Sequence, residues 1–161
     1  MAEGRLKIVV FGSFNAGKSS LIQALDPRSR HVEATSNEGA TTVAFDFGRL
    51  QVRGQAVYLF GTPGQERFEF VRQILSRGMD GAIIVVDATT GVDAMTQHLY
   101  SYLKALNVPL VFMANKCDCP GAVPEAVRRD LPGETVHPIS ARNGENVYAA
   151  LDAFVATLVA G

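Results

Sequence analysis

Cysteine is scarce in this chain, which has only Cys117 and Cys119 among its 161 residues. One residue separates the two, a poor spacing for an unstrained disulfide, and two thiolates cannot complete a tetrahedral zinc site alone. The pattern argues against a disulfide-stabilised secreted domain and against a structural zinc module. It favours a reducing compartment, and we expect a cytoplasmic protein.

The chain also lacks a strong net charge and long apolar stretches. Its formal charge at pH 7 is −1, which argues against broad nucleic-acid binding and against electrostatic attachment to a membrane. No stretch has the apolar length of a spanning helix, and the first residues do not read as a signal peptide. Lipidation motifs are missing, since position 2 is not Gly and no Cys stands near the end. We expect no nucleic-acid partner and no direct membrane anchor.

Apolar and polar segments alternate along the chain as in an α/β protein. Hydrophobic residues make up 47% of the sequence, which suits one domain over residues 1–161. The run Ile83 to Val86 is apolar throughout, as is typical of a parallel strand covered on both faces. The Arg53-Gly54 turn joins two alternating runs as a hairpin. The sequence predicts a doubly wound α/β fold with a six-stranded, mostly parallel sheet and one antiparallel edge strand.

The individual elements follow from the same periodicities. Strands are predicted over residues 5–11, 43–52, 55–60, 81–87, 108–114 and 135–139. Helices are predicted over residues 20–25, 66–78, 95–106 and 147–158, and the alternating order adds a fifth helix, without assigned bounds, between the strands at 108–114 and 135–139.

Residues Gly12 to Ser19 carry the strongest motif, G-x-x-x-x-G-K-S, between a predicted strand and a predicted helix. Glycines in such a loop let successive backbone N–H groups point at phosphate oxygens, and the following helix adds its positive dipole end. Lys18 supplies a charge for the β- and γ-phosphates, while the Ser19 hydroxyl is a hard oxygen ligand for Mg²⁺. The motif predicts that the protein binds a nucleoside triphosphate.

A long polar connection follows the first helix. Residues Asp26 to Thr42 have little apolar content, and a loop of this length inside a compact domain is usually functional or mobile. We expect a segment that the bound nucleotide orders.

The second strong motif, Asn115-Lys116-Cys117-Asp118, follows a predicted strand at the sheet edge where α/β proteins bind ligands. Guanine presents N1–H and N2–H₂ side by side, and the Asp118 carboxylate can accept both. Asn115 can tie this loop to the phosphate loop, and the stem of Lys116 can lie along the base. Farther on, backbone N–H groups of Ser140-Ala141-Arg142 can reach guanine O6.

These motifs, in this order and spacing, resemble those of the Ras-like small GTPase superfamily over essentially the whole chain. The Asp-less T-P-G-Q run at Thr62 to Gln65 looks most like prokaryotic small GTPases, including the bacterial polarity GTPases. The resemblance implies that Gln65 orients the attacking water. It also implies that Thr42 senses Mg²⁺ and the γ-phosphate, with Thr41 as the alternative register.

The resemblance implies three sets of site residues. The catalytic residues are Gln65, Lys18 and Thr42. The metal ligands are Ser19 and Thr42. The nucleotide-binding residues are Asn15, Ala16, Gly17, Lys18, Ser19, Ser20, Gly64, Asn115, Lys116, Asp118, Ser140, Ala141 and Arg142.

Two departures from the family pattern affect the expected mechanism. Gly61 stands where the family usually has the Asp that holds Mg²⁺ through a water. Asp46 is a poor substitute by its sequence position, because four strand residues carry it roughly 13 Å from Thr42. We therefore expect Mg²⁺ to depend on Ser19, Thr42 and the phosphates. Phe14 replaces a small residue beside the γ-phosphate, where its ring either obstructs a partner's arginine or shields the site from water.

The leading functional hypothesis is a GTP/GDP-dependent switch that hydrolyses GTP slowly and is stimulated by a partner. The resemblance implies effectors and GTPase-activating proteins, roadblock-type domains among them. An alternative is a nucleotide-bound interaction module without significant hydrolysis, which Gly61 and Phe14 motivate and Gln65 opposes. A third reading, a P-loop kinase or ATPase, is disfavoured by Asp118 and by the lack of a recognisable acceptor lid.

Overall fold

The computed structural model describes the backbone of residues 4–35, 42–61 and 77–160, and the side chains of these residues except 33–35 and 42–44. The strands are β1 (Gly4–Gly12), β2 (Arg30–Thr35), β3 (Thr42–Val52), β4 (Gln55–Gly61), β5 (Gly81–Asp87), β6 (Leu110–Asn115) and β7 (Val136–Pro138). The helices are α1 (Lys18–Leu25), α2 (Ala94–Ala105), α3 (Pro124–Asp130) and α4 (Val147–Ala160). The predicted helix 66–78 falls largely outside the described residues.

The strands form one seven-stranded sheet in the order β2-β3-β4-β1-β5-β6-β7. Strands β4, β1, β5, β6 and β7 pair in parallel, and β3 alone runs against its neighbours β4 and β2. The predicted doubly wound, mostly parallel architecture is confirmed. Parallel strands joined by helices bring their carboxyl ends, and the loops that follow them, to one edge of the sheet.

The predicted strand count was wrong, and the reason is β2. Residues Arg30–Thr35 form a seventh strand inside the segment that the sequence predicted to be a loop. This strand pairs with β3, so the antiparallel strand lies one place in from the edge. An edge strand pairs with only one neighbour and tolerates exposed charged residues. Such a strand lacks the regular apolar pattern from which strands are predicted, so the sequence did not indicate it. Residues 36–41 of the same predicted loop lie outside the described residues.

Side chains of the central strands alternate between two hydrophobic cores, one on each face of the sheet. In β1, Ile8 and Val10 enter the core under α1 and α4, whereas Val9 and Phe11 enter the core under α2 and α3. All four are fully buried. Because helices cover both faces of the sheet, polar functional side chains lie mainly in the loops that follow the strands. No helix in the described ranges is long and apolar enough to cross a membrane.

Candidate functional site

The loop that the sequence predicts to bind phosphate, called the phosphate loop below, connects the end of β1 at Gly12 to the start of α1 at Lys18. Gly17 caps α1 in a left-handed conformation with φ of 109°. A Cβ at this position would lie 2.1 Å from Asn115 Nδ2, far inside the contact distance. Only glycine therefore fits where the loop meets the end of β6.

Lys18 lies buried beneath this loop. Its Nζ donates hydrogen bonds to the carbonyl oxygens of Gly12 at 2.7 Å and Ser13 at 3.1 Å. Burial lowers the pKa of Lys18 to about 8, although the nearby Asp46 carboxylate raises it. These two carbonyls hold the ammonium group of Lys18 against the loop. The contact with phosphate that the motif predicts for this side chain stays a prediction.

Asn115 joins three loops. Its Nδ2 donates to the carbonyl oxygen of Ala16 at 2.9 Å, and its Oδ1 accepts from the backbone N–H of Ala141 at 2.9 Å. Both bonds are buried. The sequence predicted a tie between the phosphate loop and the loop at residues 115–118, called the base loop below, and this tie is present. The segment that contains Ala141 is attached to the same Asn115 side chain.

Asp118 and Lys116 are each oriented by a neighbour. Ser140 Oγ donates to Asp118 Oδ1 at 2.8 Å. Lys116 Nζ lies 2.9 Å from Asp87 Oδ2 at the end of β5. Burial disfavours the charged form of Asp87, but hydrogen bonds from Thr89 and Lys116 outweigh it and hold the pKa of this carboxyl below its ordinary value. Sequence reasoning missed the partnership, since 29 residues separate Lys116 from Asp87.

Asp93 is a second residue that the sequence did not reveal. Its carboxylate caps α2 by accepting from Thr96 N at 2.8 Å and Thr96 Oγ1 at 2.7 Å. The same carboxylate accepts from Ser13 Oγ at 2.8 and 2.7 Å. Burial disfavours its charged form, but the bonds from Thr96 and Ser13 outweigh it and lower the pKa of Asp93. An Asp directly before a stretch of helical periodicity signals a helix cap, whereas the link to the phosphate loop had no local signal.

Asp46 contradicts the expectation that it lies too far from the site. Its Oδ2 accepts a hydrogen bond from Ser19 Oγ, and its Oδ1 lies 3.1 Å from His31 Nδ1. The distance along β3 from Thr42 to Asp46 did not predict how close Asp46 lies to the site, because β3 packs next to the first turn of α1, where Ser19 lies. Distance along one strand says nothing about distance to a helix packed across it.

These loops surround a cavity of about 860 Å³, within the size range of small-molecule sites. Its lining includes nine residues predicted from the sequence to bind nucleotide: Asn15, Gly17, Lys18, Ser19, Ser20, Asn115, Lys116, Asp118 and Arg142. Phe14, His31, Asp46 and Cys119 complete the lining. Phe14 is 69% exposed.

The remaining predicted residues fall into two groups. Ala16, Ser140 and Ala141 are buried at the cavity wall, where they take part in the bonds described above. Gly64 and Gln65 lie outside the described residues, and of Thr42 only the backbone, at the start of β3, is described. Their predicted roles stay predictions.

Comparison with known proteins identifies the family. A family model described as 50S ribosome-binding GTPase matches residues 7–116. An uncharacterized protein of Methanocaldococcus jannaschii is 35% identical over 118 residues, which are 73% of this chain and 74% of that protein. Translation initiation factor IF-2 of Alkaliphilus oremlandii is 32% identical over 157 residues, or 90% of this chain. The matched part is only 21% of that factor, so the chain spans about a fifth of its length.

Solved structures share the fold. Translation elongation factor SelB from Methanococcus maripaludis, solved with the GTP analogue GppNHp, matches with a TM-score of 0.74 at 22% identity and covers 100% of this chain and 35% of its own. The G domain of the FeoB iron transporter from T. maritima matches with a TM-score of 0.72 at 23% identity, over 96% of this chain and 99% of its own. Because the family model covers more than half of the chain, the protein belongs to the GTPase family that this model describes, within the small GTPase superfamily.

Proposed function

We propose that this protein is a guanine-nucleotide switch that binds GTP with Mg²⁺, hydrolyses it slowly and is stimulated by an activating partner. The observation that carries the proposal is the pair of hydrogen bonds made by the Asn115 side chain. These bonds fix the base loop against the phosphate loop beside one cavity. Membership of a GTPase family supports the nucleotide and the reaction class.

Guanine selection is assigned to Asp118. The bond from Ser140 Oγ to Oδ1 sets the plane of the carboxylate. An ionised carboxylate has about four acceptor positions, so it retains capacity for guanine N1–H and N2–H₂. Adenine offers no such pair of donors on the corresponding edge, which is why ATP should compete poorly.

The phosphates are assigned to the loop before α1. Lys18 and the loop N–H groups would carry the β- and γ-phosphate charge, as the motif implies. The donor set fits a magnesium ion, because Ser19 Oγ lies against the Asp46 carboxylate at the start of α1, and Mg²⁺ prefers such hard oxygen ligands. When bound, the ion supplies charge neutralisation at the phosphate oxygens. Thr42 and Gln65 keep their proposed roles as the second ligand and the group that orients water.

Slow intrinsic hydrolysis is inferred from the arginines. Among arginines in the described ranges, only Arg142 lines the cavity. Arg142 directly follows Ser140 and Ala141, which bond to Asp118 and Asn115 of the base loop, so it is placed near the proposed base position. An arginine that stabilises transferred phosphoryl charge raises turnover by about 10³–10⁵-fold in this class of enzyme. We infer that such a group comes from a partner, which would also read the nucleotide state.

The test combines nucleotide extraction with single-turnover kinetics. Protein purified without added nucleotide should release GDP or GTP on denaturation, and unlabelled GTP but not ATP should displace a fluorescent guanine nucleotide. Isolated protein should hydrolyse GTP on the scale of minutes to hours, as unassisted members of this class do. Hydrolysis within seconds would contradict the slow switch, and efficient displacement by ATP would favour a P-loop ATPase or kinase.

A second candidate is a nucleotide-bound interaction module without significant hydrolysis. The exposed ring of Phe14 on the phosphate loop and the missing carboxyl at Gly61 favour it. If Gln65→Leu leaves single-turnover hydrolysis unchanged while both proteins retain bound GTP, the interaction module is correct. A hydrolysis rate that falls at least tenfold in this variant would reject it.

A further inference from the structure

The carboxyl group that the superfamily pattern places at residue 61 has a structural counterpart on the neighbouring strand. Gly61 ends β4, and its register partner on β3 is Asp46. A Cβ built on Gly61 would lie 3.4 Å from Asp46 Cβ and 3.7 Å from Asp46 Oδ2. The side chain of Asp46 thus borders the space that a residue-61 side chain would enter.

Close packing of α1 explains why residue 61 is glycine. The same Cβ on Gly61 would lie 2.7 Å from Ile22 Cδ1, and a Cβ on Gly48 would lie 2.8 Å from Ile22 Cγ2. Two glycines on adjacent strands therefore let Ile22 of α1 approach the sheet. With α1 this close, a carboxylate can reach the first turn of the helix from β3.

Asp46 is held in that place by both of its oxygens. Oδ2 accepts from Ser19 Oγ, the predicted magnesium ligand, and Oδ1 lies 3.1 Å from His31 Nδ1 on β2. The Asp46 side chain is 21% exposed, so its charge acts in a partly dehydrated environment. Mg²⁺ in phosphate sites is commonly bound through one or two carboxylates, phosphate oxygens and retained waters.

We propose that Asp46 supplies, from β3, the carboxylate that supports Mg²⁺ in this GTPase, in place of the residue missing at Gly61. The inference depends on the guanine-nucleotide binding proposed above. The Asp46 carboxylate would accept a hydrogen bond from a metal-bound water or from the Ser19 hydroxyl, and would so orient the ligands that contact the Mg²⁺.

The rival interpretation is purely structural, with Asp46 serving only to attach α1 to β3. The fold offers a matched control for this role. At the other end of α1, Asp26 Oδ2 accepts from the backbone N–H of Arg49 on β3 at 2.8 Å. Asp26 therefore ties the same two elements together, and it does not line the cavity.

The experiment measures release of a fluorescent GDP as a function of free Mg²⁺. In wild-type protein, Mg²⁺ should slow release relative to EDTA. In Asp46→Asn, the Mg²⁺ concentration for half-maximal slowing should rise about 10–100-fold. In EDTA, this variant should release GDP no faster than wild type, because it removes a negative charge near the phosphates. Asp26→Asn should leave the Mg²⁺ midpoint unchanged.

A carboxylate returned to residue 61 provides the rescue. Asp46→Asn combined with Gly61→Asp and Ile22→Val, the last removing the methyl that would clash, should restore part of the Mg²⁺ dependence. Faster release in EDTA together with an unchanged Mg²⁺ midpoint in Asp46→Asn would establish the structural role and overturn the proposal.

A measurement on wild-type protein covers the case in which Asp46→Asn does not fold. When Mn²⁺ replaces Mg²⁺ in the GDP complex, paramagnetic broadening should remove the ¹³C carboxyl resonance of Asp46 while that of Asp152 persists. A sharp Asp46 resonance would overturn the proposal. Failure of wild-type protein to bind GDP at all would instead reject the proposed function, so the two failures are distinguishable.

Discussion

The side-chain amide of Asn115 donates to the carbonyl oxygen of Ala16 across 99 residues of sequence, at 2.9 Å. Replacement by alanine would leave two buried backbone groups unpaired, the Ala16 carbonyl and the Ala141 N–H. Each unsatisfied group costs about 1–3 kcal/mol. We therefore expect Asn115→Ala to lower the free energy of unfolding by about 2–6 kcal/mol, measured by urea denaturation, and to weaken GDP binding.

The matched control for that substitution is Asn143→Ala. Asn143 is exposed, and it reaches the site through its backbone N–H, which donates to Ser140 Oγ at 3.3 Å and survives the substitution. A loss of stability in Asn143→Ala equal to that in Asn115→Ala would show that the amide bonds of Asn115 are not the cause.

Replacing Asp118 by Asn should change the preferred base. The amide can no longer accept from both N1–H and N2–H₂ of guanine, but its NH₂ can donate to the C2 carbonyl of xanthine. Hydrogen bonds to a charged group contribute about 1.5–3 kcal/mol each, so GTP affinity should fall about 100-fold or more while XTP affinity rises. Competition against a fluorescent nucleotide measures both.

Ser140→Ala tests whether Asp118 orientation matters separately from its charge. This variant removes the bond to Asp118 Oδ1 but keeps the carboxylate. GTP affinity should fall less than in Asp118→Asn, and XTP should gain nothing. A gain in XTP affinity would contradict the assignment of base selection to the carboxylate.

Nucleotide binding should weaken as the pH rises through about 8. Burial lowers the pKa of Lys18 to about 8 in the free protein, and bound phosphates favour the charged ammonium. Affinity is therefore highest below this pH and declines above it as the ammonium loses its proton. From the fraction of charged lysine, GDP affinity should fall about fourfold between pH 6.5 and 8.5. Calorimetry at several pH values measures the change.

Lys18→Arg is the control for the pH effect, because a guanidinium stays charged throughout this range. We expect the Lys18→Arg protein to bind GDP more weakly at every pH, because a planar guanidinium does not fit between the two carbonyl oxygens that bind Lys18 Nζ. The dependence on pH should nevertheless disappear. An equal fall with pH in this variant would assign the titration to another group.

Asp93→Ala should destabilise the protein by about 1–2 kcal/mol at pH 7, the usual cost of a lost helix cap. Because its folded pKa lies below its ordinary value, the contribution of the charged form is present above that ordinary value. It is lost as the pH falls through the folded pKa. The difference from wild type should therefore shrink in acid, as urea denaturation at pH 7 and pH 3 would show. Ser13→Ala, which keeps the cap, should cost less.

The sequence predicted those parts of the molecule that are encoded locally. The phosphate loop and the Asn115 to Asp118 run are short motifs whose flanking strands have clear apolar periodicity, so their positions could be inferred. The tie between them spans 99 residues, but it could be inferred because both loops follow parallel strands whose carboxyl ends share one edge of the sheet. Strand β2 could not, because its stability comes from pairing with β3 rather than from its own polar residues. Contacts between distant segments, such as Asp46 with Ser19 and Ser13 with Asp93, span 27 and 80 residues and have no local signature.

Gly17 has a consequence for what the cavity can accept. Because a methyl group there would lie 2.1 Å from Asn115 Nδ2, the backbone of one loop rests directly against the side chain of the other. No flexible side chain lies between them at this contact. In the proposed function, this contact fixes the separation between the positions of the base and of the phosphates. We therefore expect the protein to reject molecules whose base and phosphates are spaced differently, without a movement of either loop.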